Sequence, residues 1–229
     1  MGFYARRIVP RLIDLAMRNE RLRSYRQQAV GAARGCVLEI GVGSGRNLPL
    51  YGPGVTSVCA LDPSAELLGL ARQRIAETST PVWLVQASGE DLPFLGASLD
   101  TVVTTWTLCS IPHPLSALSE MRRVLRPGGK LVFVEHGLSP EPRIARWQRL
   151  LTPLWRRVSG GCHLDRDMNA LVRAAGFHLG AIETGYMSGP KLMTFMYQGR
   201  ANARWGTLAP IIPKIASVAE YSSGRQNCW

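Results

Sequence analysis

Residues 37–47 read VLEIGVGSGRN, and the fold is decided in this short stretch. An apolar run ends in an acid, Glu39, and is followed by glycines at alternate positions, Gly41, Gly43 and Gly45. Glycines after a strand let backbone N–H groups approach a ligand where any Cβ would collide. A dinucleotide-binding turn needs G-x-G-x-x-G, with a helix N-terminus facing the pyrophosphate. Here Arg46 stands where the third glycine of that pattern would fall. Glu39 would also sit badly beside a pyrophosphate but well beside a cation. The stretch therefore points to S-adenosylmethionine, whose sulfonium and amino group are positive. Asp62 follows Gly45 by 17 residues and ends the run SVCALD. A carboxylate at that place accepts both ribose hydroxyls of a nucleoside.

Working outward, strand-like and helix-like runs alternate from Cys36 onward. CVLEI, SVCALD, VWLVQA, LDTVVTTWTL and KLVFVEH read as strands, the last after the turn RPGG. LLGLARQRIAE reads as an amphipathic helix after Pro63, and PLSALSEMRRVL as another, with Leu115, Leu118, Met121 and Leu125 on one face. This alternation predicts a parallel sheet covered on both faces, with ligands beyond the carboxyl ends of its strands. Three segments fall outside it. Residues 1–35 form an N-terminal helical cover, with Tyr4, Ile8, Leu12, Leu15 and Ala16 as its apolar face. Residues 140–176 are a helical lid insertion within a domain spanning 36–200, and residues 201–229 are a C-terminal tail.

Composition sets the class. Hydrophobic residues at 46% and charged residues at 19% of 229 describe a globular chain rather than a disordered one. Apolar runs stay short of the ~18 residues of a membrane span, and Pro10, Arg11 and Asp14 interrupt a signal-peptide core. The expected location is the cytoplasm, with peripheral membrane contact open to it. Net charge is +11 and unevenly spread: +6 over residues 1–35, −2 over 36–138 and +7 over 139–229. Basic flanks suit an anionic lipid surface or an anionic substrate as well as plain solvated helix faces. They carry no nucleic-acid-binding motif, which argues against that partner. The five cysteines are scattered, with no CxxC pair and no zinc spacing to the four histidines, so reduced thiols and no metal are expected.

Together with ASGEDLPF and RRVLRPGGKLVF, these segments resemble the class I S-adenosylmethionine-dependent methyltransferases, of the type 11 subgroup that includes ubiquinone-biosynthesis enzymes. The resemblance covers roughly residues 36–135. It implies a Rossmann-like α/β fold with a mostly parallel seven-stranded sheet and helices on both faces. It also implies S-adenosylmethionine as cofactor. Glu39, Gly41, Gly43, Gly45 and Asn47 would hold the methionine part, Asp62 and Pro63 the ribose, Ser88, Gly89 and Glu90 the adenine, and Thr105 would close the site. Many members carry Asp where this chain has Ser88, which passes the adenine contact to backbone groups or to Glu90. TWTLCSI, LVFVEHG and GGCHLDRD, with Asn47 and Tyr51, are further similar to the animal microsomal alkyl-thiol methyltransferases and their bacterial relatives.

Methyl transfer from a sulfonium is an in-line displacement that needs no acid for its leaving group. A thiol acceptor already ionises partly near neutrality, whereas an alcohol or ammonium needs a general base. Trp106, Cys109 and His136 follow the fourth and fifth strands and are the candidates to line the acceptor site. His136 either takes a proton or is structural, and Cys109 either participates or is a small buried hydrophobe. Cys162 and His163 belong either to the acceptor pocket or to a structural turn, and Asp165 caps the helix that follows. The expected acceptor is a small thiol. A phosphatidylethanolamine amine is the alternative, and a non-catalytic binding module the least favoured reading.

Overall fold

The computed structural model describes residues 9–203. Seven strands, β1 (Gly35–Ile40), β2 (Val55–Leu61), β3 (Val82–Val85), β4 (Leu99–Thr105), β5 (Leu125–His136), β6 (Phe177–Tyr186) and β7 (Phe195–Ala203), form one sheet. Its order is β3-β2-β1-β4-β5-β7-β6. The first five strands pair in parallel, and β7 runs antiparallel to both β5 and β6. The strand order reverses between β1 and β4, and that switch point opens a crevice at the strands' carboxyl ends.

The near-continuous apolar character of the strands follows from cover on both faces. Leu38 and Ile40 pack with Leu118 and Met121 of α4 (Pro114–Val124) and with Met168 and Val172 of α6 (Met168–Ala174). Their neighbour Val37 faces the other way, toward Ala29 and Val30 of α2 (Arg21–Gly31) and Leu68 and Ala71 of α3 (Ala65–Arg74). Alternation along one strand thus feeds two cores.

Several expectations need correction. On α4 the buried stripe is Ala117, Leu118, Met121 and Val124, while Leu115 is exposed. Leu125 instead opens β5, which begins before KLVFVEH because Leu125 pairs with Leu99. On α1 (Val9–Ala16), Leu12, Leu15 and Ala16 are exposed. The inward side carries Ile13 and the buried Asp14, whose Oδ1 accepts from Arg46 Nη2 at 2.8 Å. An acid is thereby tied down under the cover, so the apolar stripe points elsewhere. Tyr4, Ile8 and the tail beyond residue 203 lie outside the described residues.

The stretch 140–176 is not one lid. Its α6 half is core, with Met168 and Val172 fully buried. Its α5 half (Pro142–Val158) buries only Ala145, Gln148 and Thr152. Gln148 fixes that helix by accepting from Ser139 N at 2.8 Å and donating to Gly137 O and Leu192 O at 3.0 Å each. The large apolar residues of α5, Trp147, Leu150, Leu154 and Val158, are left exposed.

Candidate active site

The glycine turn after β1 is tied to the end of β2 by hydrogen bonds. Gly41 N donates to Leu61 O at 2.8 Å, and Gly43 N donates to Asp62 Oδ2 at 2.9 Å. Gly41 has φ +72°, and a Cβ there would lie 2.2 Å from Thr107 Oγ1, so no other residue fits. Gly45, at φ +81°, would place a Cβ 2.9 Å from Ala71 Cα, so its role is to let the turn pack against α3. Asp62 accepts from Gly43 N with one oxygen and from Ser64 N at 2.9 Å with the other. Each oxygen keeps a free lone pair for a hydroxyl donor. Burial pushes the Asp62 carboxyl upward, and the two backbone bonds oppose that push.

Glu39 sits at 1% exposure beneath the turn. Its Oε1 accepts from Asn47 Nδ2 at 2.7 Å and its Oε2 from Tyr51 OH at 3.0 Å. Asn47 Nδ2 also donates to Thr105 Oγ1 at 3.0 Å. Burial raises the Glu39 carboxyl to about 7, even though the Asn47 and Tyr51 bonds and the nearby Arg26 charge work in the opposite direction. Asn47 Oδ1 is buried with no hydrogen-bond partner among the described residues. An acceptor without a partner next to a buried carboxylate suits a ligand ammonium group, which offers several donors and a positive charge. The methionine end of S-adenosylmethionine fits both.

These groups border a cavity of about 320 Å³, within the ~300–1,000 Å³ usual for small-ligand sites. Gly41, Gly43, Asn47, Asp62, Pro63, Ser88, Gly89 and Thr105 line it, as expected. Three expected residues do not. Glu39 acts from behind Asn47, and Gly45 faces α3. Glu90 Oε1 accepts from His113 N at 2.6 Å, at the start of α4. Of the three residues expected at the adenine, Ser88 and Gly89 line the cavity and Glu90 does not.

Ile13 and Met17 close one side of the cavity and Gly160 another, so the N-terminal cover and the end of α5 both contribute to its rim. Asp14 holds the cover in place through Arg46 and Arg18, which donates to Oδ2 at 2.9 Å. Against the upward push of burial, hydrogen bonds from Ser44, Arg18 and Arg46 bring the Asp14 carboxyl down to about 2.

Of the three candidate catalytic residues, only Trp106 lines the cavity. It follows β4 at φ +50°, an unusual conformation for a bulky residue. Glu135 holds the turn. Its Oε1 accepts from Thr104 Oγ1 and Thr107 N at 2.9 Å and from Leu108 N at 3.0 Å. The Arg26 guanidinium lies 5.0 Å from the centre of the Trp106 ring, and Tyr25 meets the same ring edge-on at 6.4 Å. Burial lowers Arg26 to about 10, so it remains charged at neutral pH. Neither Arg26 nor Glu135 was anticipated from sequence. An acid inside the otherwise apolar strand KLVFVEH was the available sign for Glu135.

Cys109 and His136 lie outside the cavity lining. They meet Cys162, with His136 Nε2 2.9 Å from Cys162 Sγ. Hydrogen bonds from Cys109 and His136 hold the Cys162 thiol well below its ordinary range despite burial, while Cys109 is pushed up. His163 Nδ1 lies 3.6 Å from Asp165 Oδ1, and the cap of α6 is Asp167, which accepts from Ala170 N at 3.0 Å. Capping by Asp165 is thus corrected. The expectation of reduced thiols holds for Cys59, Cys109 and Cys162 and fails at Cys36, which is disulfide-bonded.

Comparison with known proteins identifies the family. A methyltransferase-domain family model aligns with residues 38–133. A phosphatidylethanolamine N-methyltransferase of Cereibacter sphaeroides is 35% identical over 73% of this chain and 81% of its own length. The chain belongs to the S-adenosylmethionine-dependent methyltransferases. Other relatives of this methyltransferase include the human thiol S-methyltransferase TMT1A, 34% identical over 71% of this chain and 68% of its own, and the rat TMT1B, 38% identical over 57% and 55%. The chain thus spans little more than half the length of the TMT1B relatives it matches. In fold it is similar to the N-methyltransferase NodS of Bradyrhizobium japonicum, at a TM-score of 0.59, 17% identity and coverage of 81% of this chain and 98% of that one. It is also similar to the [4+2]-cyclase SpnF, at a TM-score of 0.63, 18% identity and coverage of 82% of this chain and 81% of that one. One fold therefore serves different chemistries, and the reaction has to be argued from the site.

Proposed function

We propose that the protein transfers the methyl group of S-adenosylmethionine to a small thiol brought against Arg26 and Trp106. The observation that carries this is the charge of the cavity wall. Among its described lining residues the only acid is Asp62, none is a histidine, and Arg26 presents a buried positive charge on the Trp106 face. An alcohol or ammonium acceptor would need a general base, and an ammonium would also be repelled by Arg26. A thiol has a pKa near ~8.5 that a neighbouring cation lowers, so it can react as the thiolate without a base. S-adenosylmethionine supplies the methyl group and the leaving sulfide. Asp62, Asn47 and Glu39 anchor the donor, and Trp106 and Arg26 orient and ionise the acceptor. Positioning of this kind can contribute ~7–11 kcal/mol. The thiol S-methyltransferase relatives support the same acceptor class. Release of S-adenosylhomocysteine with alkyl and aromatic thiols, compared with matched alcohols and amines, tests it. Turnover of thiols supports the proposal, and turnover of amines alone contradicts it.

A second element of the reading is peripheral attachment to an anionic membrane surface. It is supported by α5, where exposed Trp147, Leu150, Leu154 and Val158 share one face beside Arg143, Arg146 and Arg157, with no acid in the helix. An apolar stripe flanked by arginines suits the headgroup boundary of an anionic bilayer. The relative named phosphatidylethanolamine N-methyltransferase gives the lipid amine as the competing acceptor. No helix among the described residues is long and apolar enough to cross a membrane.

A further inference from the structure

The sequence spreads Cys109, His136 and Cys162 over two loops and the end of β5. The fold brings one donor atom of each within 4.8 Å of the other two. We propose that these residues form a binding site for a soft divalent metal ion of the zinc class, with the fourth position taken by an exogenous ligand.

The donor chemistry is the first argument. Two thiols and an imidazole are the ligand types that select zinc-class ions over magnesium or calcium, and a Cys2His set leaves one tetrahedral position open. The spacing is the second. A tetrahedral centre with Zn–S near ~2.3 Å and Zn–N near ~2.0 Å sets its donors roughly 3.5–3.8 Å apart. The His136 Nε2–Cys162 Sγ pair at 2.9 Å would open by well under ~1 Å to admit the ion.

The third argument is that the backbone around the trio is already locked. His163 N donates to Cys109 O at 2.8 Å, which fixes the Cys162 loop against the Cys109 loop. Arg166 donates to Leu108 O and, at 2.8 Å, to Ile111 O, reinforcing the same junction. Leu138 N donates to Arg166 O at 2.8 Å and ties that loop to the end of β5, which carries His136. The two loops and the strand end are thus held in register by bonds that do not use the three side chains. Finally, Ser110 and Gly160, close in sequence to Cys109 and Cys162, line the donor cavity. The site therefore stands immediately behind that cavity's wall.

The test uses the full chain, reduced and stripped of metal, titrated with cobalt(II) as a spectroscopic stand-in for zinc. A single saturable site should appear, with sulfur-to-cobalt charge-transfer absorption and intense tetrahedral ligand-field bands, and zinc should bleach both. Cys162→Ser and His136→Asn should each weaken zinc by more than ~100-fold in chelator competition, beyond the ~10–100-fold typical of losing an outer partner of a ligand. Cys59→Ser, at a buried thiol outside the trio, should leave the spectrum unchanged. Thermal unfolding of each variant confirms that it is folded. Absence of the charge-transfer band in the folded protein, or unchanged zinc affinity in both Cys162→Ser and His136→Asn, overturns the proposal. The readout is spectral and independent of the methyl acceptor, so it stands apart from any failure of the thiol assignment.

Discussion

Glu39 offers the sharpest test of the donor site, because its charge is costly without ligand and useful with it. Its carboxyl rises from an ordinary 4.5 to about 7 in the folded protein. At ~1.36 kcal/mol per unit, keeping it ionised above that pH costs up to about 3 kcal/mol of folding stability. The sign follows from proton linkage: a folded value above the unfolded one means that the native state holds the proton longer. Its stabilising contribution is complete below about 4.5 and is lost as pH rises through about 7. Glu39→Gln mimics the protonated form and keeps an acceptor for Asn47. Its stability should equal that of the natural protein near pH 4.5 and exceed it at pH 8 by up to about 3 kcal/mol, or ~6–12 °C in Tm. The same substitution should weaken S-adenosylmethionine about tenfold in Kd, ~1.4 kcal/mol, because the negative charge behind Asn47 no longer attracts the ligand ammonium. Thermal melts between pH 4.5 and 8, and calorimetric titration with donor, check both halves. Parallel pH profiles for the two proteins with unchanged donor affinity would refute the reasoning.

Donor binding should itself draw Glu39 into its ionised form. Near pH 7 the natural protein should release a fraction of a proton per donor bound, measured as a dependence of binding enthalpy on buffer, and Glu39→Gln should release none. Asp62→Ala should lower donor affinity ~10–100-fold, because two charge-assisted bonds to hydroxyls and two backbone anchors disappear together. Arg26→Met keeps the packing on Trp106 and removes the charge, so kcat/KM for thiols should fall about tenfold at pH 7. The acid limb of the pH–rate profile should also move up by about one unit. Replacing Leu150 and Leu154 on α5 by Glu should cut co-sedimentation with anionic vesicles by at least tenfold. Raised salt should weaken binding of the natural protein as the Debye length shrinks.

The central sheet was legible in the sequence because its strands are buried on both faces, so VLEI, SVCALD and LVFVEH stand out as near-continuous apolar runs. The last two strands did not declare themselves. β6 lies toward the sheet edge with mixed exposure, and β7 is interrupted by Gly199, Arg200 and Asn202. Most of the residues expected at the donor come together at one cavity, since a glycine turn and a strand-end acid lie within short, fixed separations. The residues expected at the acceptor do not gather there, and contacts between distant pieces were not legible. Arg26 reaches Trp106 from a cover helix, and Cys162 reaches His136 from the loop after α5. The face of α1 misled for a physical reason. Its inward contact is made by Asp14 through a specific bond, so hydrophobicity pointed to the wrong side.

Methyl transfer from S-adenosylmethionine to sulfur can be tested in competition with the lipid amine. The direct measurement offers the protein a methyl-labelled donor together with a small thiol and phosphatidylethanolamine vesicles in one vessel, and identifies the labelled product by mass spectrometry. Labelled S-methyl thioether as the dominant product, lost with Asp62→Ala, is the predicted result. Label found on the lipid amine with none on sulfur would contradict it.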